Sequence, residues 1–248
     1  MRLSPKPVSI AVRLAGLALL LASLPGCRLA TGNAAVSQVR VIDASPDAPA
    51  IDIYQSGSSL AHNLGFGTIT SYIPISPGAS LITANTAGSK QILTSARSRY
   101  AAAAQYTVLI GNAASSLQQT VLLDQNQSAP AGQVSLRVLD QATNLGVGID
   151  VYLVPAGESV ATIRPLLTDA LFGTNSGYIN LPAGIYTVVL LPAGTTVTNA
   201  TVPLYTGTRT IYSAGAARSI ILLDQPAIAP ASLQVVTAND FDPPEASN

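Results

Sequence analysis

Three carboxylates stand close together near the start of this 248-residue chain. Asp43, Asp47 and Asp52 all lie within Val39-Arg40-Val41-Ile42-Asp43-Ala44-Ser45-Pro46-Asp47-Ala48-Pro49-Ala50-Ile51-Asp52-Ile53-Tyr54. Converging oxygens on one loop, with Asn63 as a further neighbour, are what a hard cation such as calcium requires. The same residues also suit a purely structural role, with Asp47 capping the turn after Pro46 and Asp43 and Asp52 at strand ends. No Asp-x-Asp-x-Asp-Gly spacing is present. The stretch therefore stands as an ion or ligand loop at Asp43, Asp47 and Asp52, with a structural role expected for Asp52 and no metal upon it.

Catalytic chemistry finds few residues to use. The chain has a single histidine, His62, and its only glutamates are Glu158 and Glu245. There is no Gly-x-Ser-x-Gly elbow, His-Glu-x-x-His, Cys-x-x-Cys, P-loop or Gly-x-Gly-x-x-Gly, so neither an acyl-transfer nucleophile nor a nucleotide cofactor has its usual seat. Leu60-Ala61-His62-Asn63 reads as a polar loop or strand edge. We expect no catalytic residues and no cofactor. The rival reading is a hydrolase, or an accessory domain of an envelope polymer-processing enzyme, with its site between two units.

The elements that must position these residues are strands, and they come twice. Val39 to Asp43 and Ile51 to Tyr54 return as Leu136-Arg137-Val138-Leu139-Asp140 and Ile149-Asp150-Val151-Tyr152. Phe66-Gly67 returns as Phe172-Gly173, Tyr72 as Tyr178 and Pro77-Gly78 as Pro182-Ala183-Gly184. Val121 to Gln125 matches Ile221 to Gln225, which pairs Asp124 with Asp224. Short apolar runs between turn signals every eight to twelve residues are the pattern of a sandwich or barrel. We expect an all-β protein of two tandem antiparallel sandwiches, immunoglobulin-like or transthyretin-like. The first spans residues 38–125, a linker 126–132, the second 133–225, and a C-terminal strand and polar tail 226–248. Pro74 demotes its strand to an edge or forces a bulge. Ala101 to Ala104 is a crossover loop, and Gly157–Thr168 is an insertion in the second unit.

Alternation puts Val39, Val41, Ile51 and Ile53 inside, so Arg40 and Asp52 face the other way. Arg137 and Asp150 have the same parity. If the strands are neighbours, Arg40 meets Asp52 and Arg137 meets Asp150 as exposed pairs that set register. Tyr54/Tyr152 and Tyr72/Tyr178 recur at matched places, which reads as packing with each phenol reaching a polar partner. With no Trp and three Phe, the aromatic platform of a sugar-binding sandwich is sparse.

Residues 1–26 read as a leader. Arg2, Lys6 and Arg13 precede an eleven-residue apolar run, Leu14 to Leu24, too short to span a bilayer but right for a signal-peptide core. It ends in Leu24-Pro25-Gly26-Cys27, which resembles the bacterial lipobox and predicts lipidation, with palmitate, at Cys27, the only cysteine. Residues 27–37 then form a tether. Without the leader, nine basic and twelve acidic residues remain, a net charge of −3. That excludes a basic footprint for nucleic acid.

The signature Val39 to Tyr54, followed by Leu64-Gly65-Phe66-Gly67 and the Pro-Gly turn, resembles an uncharacterised family of exported bacterial domains, numbered 4397 among the domains of unknown function. Asp43 stands where that family usually has His, and Gln141–Gly148 replaces the Ser-Pro-Asp-Ala-Pro loop in the second unit. The resemblance implies location and architecture, not an activity. The expectation is a lipid-anchored cell-envelope protein with a binding or scaffolding role. Its partners would be the membrane through Cys27 and an envelope protein or glycan. Arg28 after the cysteine points to the outer membrane, facing the periplasm or the cell surface.

Overall fold

A computed structural model describes residues 35–225 and 233–244. The leader, Cys27 and the tether up to residue 34 lie outside the described residues. The fold is all-β, and among the described residues no helix is long and apolar enough to cross a membrane. Strands are numbered in chain order.

Four sheets arise because each short strand alternates apolar and polar side chains, and each apolar face needs a cover. The first sandwich has an inner sheet of β4 (Ile73–Ile75), β1 (Ser37–Asp43), β7 (Gln105–Gly111) and β8 (Gln118–Leu123), in that order. Its outer sheet runs β3 (Ser58–Leu64), β2 (Ile51–Gln55), β5 (Gly78–Thr86) and β6 (Ile92–Tyr100). Val39, Val41, Val108 and Ile110 meet Ile51, Ile53, Ile82 and Ala84 between them.

The second sandwich repeats the inner order. Its inner sheet is β12 (Asn175–Pro182), β9 (Gln133–Asp140), β16 (Ala217–Asp224) and β17 (Leu233–Phe241). The outer sheet holds β11 (Leu167–Ala170), β10 (Ile149–Pro155) and β13 (Gly184–Pro192), with β14 (Tyr205–Thr206) and β15 (Thr210–Tyr212) both on β13. Leu136, Val138, Ile149, Val151, Leu190 and Ile220 form this core.

Pairing is antiparallel except for β1 with β7 and β9 with β16, which run parallel. These parallel pairs depart from the purely antiparallel expectation. They send the carboxyl ends of all four central strands, at Asp43, Gly111, Asp140 and Asp224, into loops that line shared crevices. Pro74 sits on the edge strand β4, where a missing N–H costs no ladder bond. Of the two settings expected for His62, loop or strand edge, the structure has the second: it lies on the edge strand β3, whose segment Ser58 to Leu64 has no β-branched residue to mark it as a strand.

The two inner sheets face each other. Ile42, Ala44 and Leu109 from the first sandwich pack on Leu139, Ile221, Leu223 and Ala238 from the second. Both faces of β1, β7, β9 and β16 are thus covered, and these strands are buried along nearly their whole length, polar positions included. The insertion Gly157–Thr168 lays Val160 and Ile163 over the outer face of the second sandwich, above Tyr152, Val154, Val189 and Leu191.

The structure also corrects the repeat alignment. Arg40 is registered with Thr107 and Arg137 with Ser219, so β16 matches β7 and β17 matches β8. Asp124 therefore corresponds to Asp240, not to Asp224. The similar text of Val121–Gln125 and Ile221–Gln225 falls on strands at different places in the two sheets, β8 at an edge and β16 in the centre.

Candidate functional site

The most conspicuous charges come first. Arg40 and Arg137 do point away from their own cores, but the face they point to is buried against the other sandwich: they are 1% and 2% exposed. The expected pairs Arg40–Asp52 and Arg137–Asp150 do not form. Arg40 and Arg137 lie on inner sheets, whereas Asp52 and Asp150 lie on outer ones.

Each arginine instead reaches across the interface to a carboxylate of the opposite sandwich. Arg40 donates through Nη2 to Asp240, through Nη1 to the Asn239 carbonyl at 2.9 Å and through Nε to Thr107 Oγ1 at 2.8 Å. Arg137 donates through Nη2 to Asp124 at 2.6 Å, through Nη1 to the Leu123 carbonyl at 3.2 Å and through Nε to Ser219 Oγ at 2.9 Å. Thr107 and Tyr72 hydroxyls donate to Asp124 at 2.6 and 2.7 Å, and Ser219 and Tyr178 hydroxyls to Asp240 at 2.7 and 2.8 Å. Each guanidinium stacks over its own sandwich's tyrosine, Arg40 on Tyr72 and Arg137 on Tyr178, at 4.9 and 4.8 Å. The pattern has approximate two-fold symmetry. Burial works against the Arg40 charge, but Asp240 and Asp124, with Tyr72, outweigh it and hold the guanidinium above its ordinary range. Burial and Asp124 likewise push the Tyr72 phenol upward. A satisfied buried network of this kind specifies how two surfaces register more than it stabilises them.

Asp52 and Asp150 serve a second repeated device. Asp52 accepts the backbone N–H groups of Asn63 and Gly88 at 2.8 and 2.9 Å. Asp150 accepts those of Asp169 and Gly194 at 2.9 and 3.1 Å. Asn63 and Asp169 both have φ near +50°, with Gly88 and Gly194 above +70°, so each aspartate pins two left-handed turns to its strand. Those two N–H groups, the largest influence, hold the Asp52 carboxyl below its usual range, with His62 adding to it. His62 itself is exposed, 3.4 Å from Asp52 and 2.6 Å from Ser59 Oγ.

Asp43, Asp47 and Asp52 do not converge. Asp43 accepts the Ser45 N–H at 3.1 Å, and Asp47 accepts the Ala114 N–H at 2.8 Å across the loop. Among the described residues no group of three His, Cys, Asp or Glu could hold a metal ion. Asp43 is buried, with Oδ2 and the nearby Ser45 Oγ unpartnered among the described residues, and burial raises its carboxyl to about 6. Asp140, its equivalent in the second sandwich, is raised to about 6 by the same cause, with Asp224 adding to it.

What the loops do build is a row of crevices at the carboxyl ends of the central strands. One lies between the sandwiches, bounded by Gly111, Gln118, Gln141 and Phe172–Asn175. A second is lined by Pro46, Asp47, Ala113, Thr143, Asn144 and Gln225. The largest of the three, about 260 Å³, opens from the end of the second sandwich between the loop Gln141–Gly148 and Leu171-Phe172. No sequence signal marked that loop except the loss of Ser-Pro-Asp-Ala-Pro. Its seat is Asp224, which accepts Thr143 N–H and Oγ1–H and Asn144 N–H at 2.7, 2.8 and 3.1 Å.

No curated protein matches the sequence. Among solved structures the chain is similar to the Bacillus anthracis TIE protein, at 10% identity and a TM-score of 0.24, covering 76% of this chain and 34% of that one. It thus spans about a third of that protein's length. It is also similar to CBMbc, a family CBM26 module of Eubacterium rectale Amy13K solved with maltoheptaose, at 12% identity and a TM-score of 0.25, covering 84% and 98%. A third likeness is to family 41 carbohydrate-binding modules of streptococcal virulence factors, at 8% identity and a TM-score of 0.23, covering 75% and 92%. Residues 37–152, which run from β1 to Tyr152 of β10, match an uncharacterised family described as Domain of unknown function (DUF4397).

Proposed function

We propose that this chain is a non-catalytic binding protein of the cell envelope, lipid-anchored at Cys27, which presents the loop end of its double sandwich to a ligand. The observation that carries the binding role is the preformed cavity of about 260 Å³ at that end. Its loop is held by three hydrogen bonds to Asp224 before any ligand arrives. A pinned wall lowers the ordering cost of binding. Loops carried on a rigid β scaffold are the usual place for recognition. The titratable groups nearby have structural partners in place of the base-and-nucleophile geometry that turnover needs. The anchor is supported by the basic leader, the eleven-residue apolar run and Gly26-Cys27, and Arg28 favours the outer membrane. The second sandwich is a diverged copy of the family domain, a reading supported by the register match of Arg40 with Arg137 and Asp43 with Asp140.

Titrating the mature chain with envelope extract, followed by amide NMR, tests the binding role. Shifts should concentrate in residues 44–50, 112–117, 141–148 and 171–175. Chemical turnover of an extract component would overturn the non-catalytic reading. Shifts confined to the outer sheets would overturn the site. For the anchor, Cys27→Ser should leave the membrane fraction and lose metabolic palmitate label; an unlabelled wild type whose mature N-terminus lies elsewhere would refute it.

A further inference from the structure

We propose that the open end of the second sandwich binds a small ammonium compound with a body of one ring or a short branched chain. The Asp140 carboxylate receives the cation, and Val147, Leu171 and Phe172 close on the apolar part. This rests on the binding role above and adds its ligand class.

Size sets the first limit. A dry cavity of roughly 150 Å³ is enough to take benzene, so about 260 Å³ accommodates one ring with a short arm. The walls, Ala142, Leu145 and Ile149, belong to or pack on the apolar core of the second sandwich. The rim is unusual. Val147, Leu171 and Phe172 are 52%, 55% and 38% exposed, although each would be better covered. Three large apolar side chains around one mouth give a ligand's hydrocarbon a place to exclude water.

The charge at the inner end then chooses the head group. Val138 points into the second core, and strand alternation aims Asp140, two residues later, into the same space. Among the described residues its Oδ1 accepts the Ala142 N–H alone, at 2.9 Å. Asp224 is the charged group that acts on it, and it too is acidic. Among the described residues no Lys or Arg lines the cavity. An incoming ammonium therefore meets one sign of charge, and an anion is repelled. A buried carboxylate without a cation is costly, so the pair relieves a penalty the free protein carries.

The first sandwich provides the contrast. Asp43 holds the matched position, but there Phe66 packs into the core between the sandwiches, whereas Phe172 stands at the cavity mouth. The two ends have diverged, and only the second pairs its carboxylate with an apolar mouth of this kind.

Titrations of the mature chain with benzylamine, benzyl alcohol and benzoate, read by amide NMR, test the inference. Benzylamine should shift residues 141–148 and 171–173 and bind about 10-fold or more tighter than benzyl alcohol, with benzoate weakest. Asp140→Asn should remove the preference for the amine, Asp43→Asn should leave it, and Phe172→Ala should weaken amine and alcohol alike. The order of the three probes on the wild type decides the matter even if Asp140→Asn fails to fold. Equal binding of amine and alcohol would overturn the ligand class and leave a binding cavity standing. No shift at this mouth with any probe would also overturn it, and the extract titration would still judge the binding role separately.

Discussion

Removing Asp240 should reveal what the crossed arginines do. In the folded protein Asp240 accepts from Arg40, Tyr178 and Ser219. Asp240→Ala leaves three donors without their acceptor, one of them a guanidinium only 1% exposed. Asp124, 3.6 Å from Arg40, compensates in part, since it already serves Arg137, Thr107 and Tyr72. Breaking one side of a buried pair costs about 3–5 kcal/mol, a large share of a stability of about 5–15 kcal/mol. With nine Tyr and no Trp, urea unfolding can be followed by tyrosine fluorescence and circular dichroism. The expected result is a lower midpoint and a single transition broadened or split, as the sandwiches lose their shared register. Arg40→Met in the Asp240→Ala background should recover much of the loss, because it removes the orphaned charge while keeping an apolar stem. An Asp240→Ala midpoint within about 0.5 kcal/mol of wild type would refute this reasoning. So would a double variant no more stable than Asp240→Ala alone.

Acid should stabilise two positions. The Asp43 and Asp140 carboxyls are raised to about 6 in the folded state from an ordinary 3.8. Their contribution is therefore fully present below pH 3.8 and lost as pH rises through about 6, by about 3 kcal/mol each at most. Asp43→Asn should flatten that limb of the stability–pH curve, and an unchanged slope between pH 4 and 7 would contradict it. Asp150→Ala removes the acceptor for Asp169 and Gly194 N–H and should cost about 1–3 kcal/mol. Hydrogen exchange should quicken first at those two amides. Calcium should leave the melting temperature of wild type and Asp52→Asn alike, since Asp52 is committed to Asn63 and Gly88; a calcium-dependent rise abolished in the variant would make Asp52 a ligand.

Period-two alternation was enough to see the all-β sandwich class and most strands of the first sandwich, because local sterics and one buried face impose that pattern on the chain itself. It also assigned the side of the strand on which Arg40, Asp52, Arg137 and Asp150 stand. Pro74 announced an edge strand through its missing N–H, and Tyr72 and Tyr178 announced a shared role by recurring. What alternation cannot say is whether the far side of a strand meets water or protein. Arg40 looked solvent-facing, yet a second sheet covers it, and its partner lies 200 residues away at Asp240. No local pattern ties those two positions. The same blindness confused Asp224 with Asp240, since the text of Val121–Gln125 recurs in β16, whereas the strand that takes the place of β8 in the second sandwich is β17. The cavity beside Asp140 depended on tertiary structure altogether, because it is a gap between loops from Gln141–Gly148 and Leu171-Phe172, and a gap has no sequence of its own.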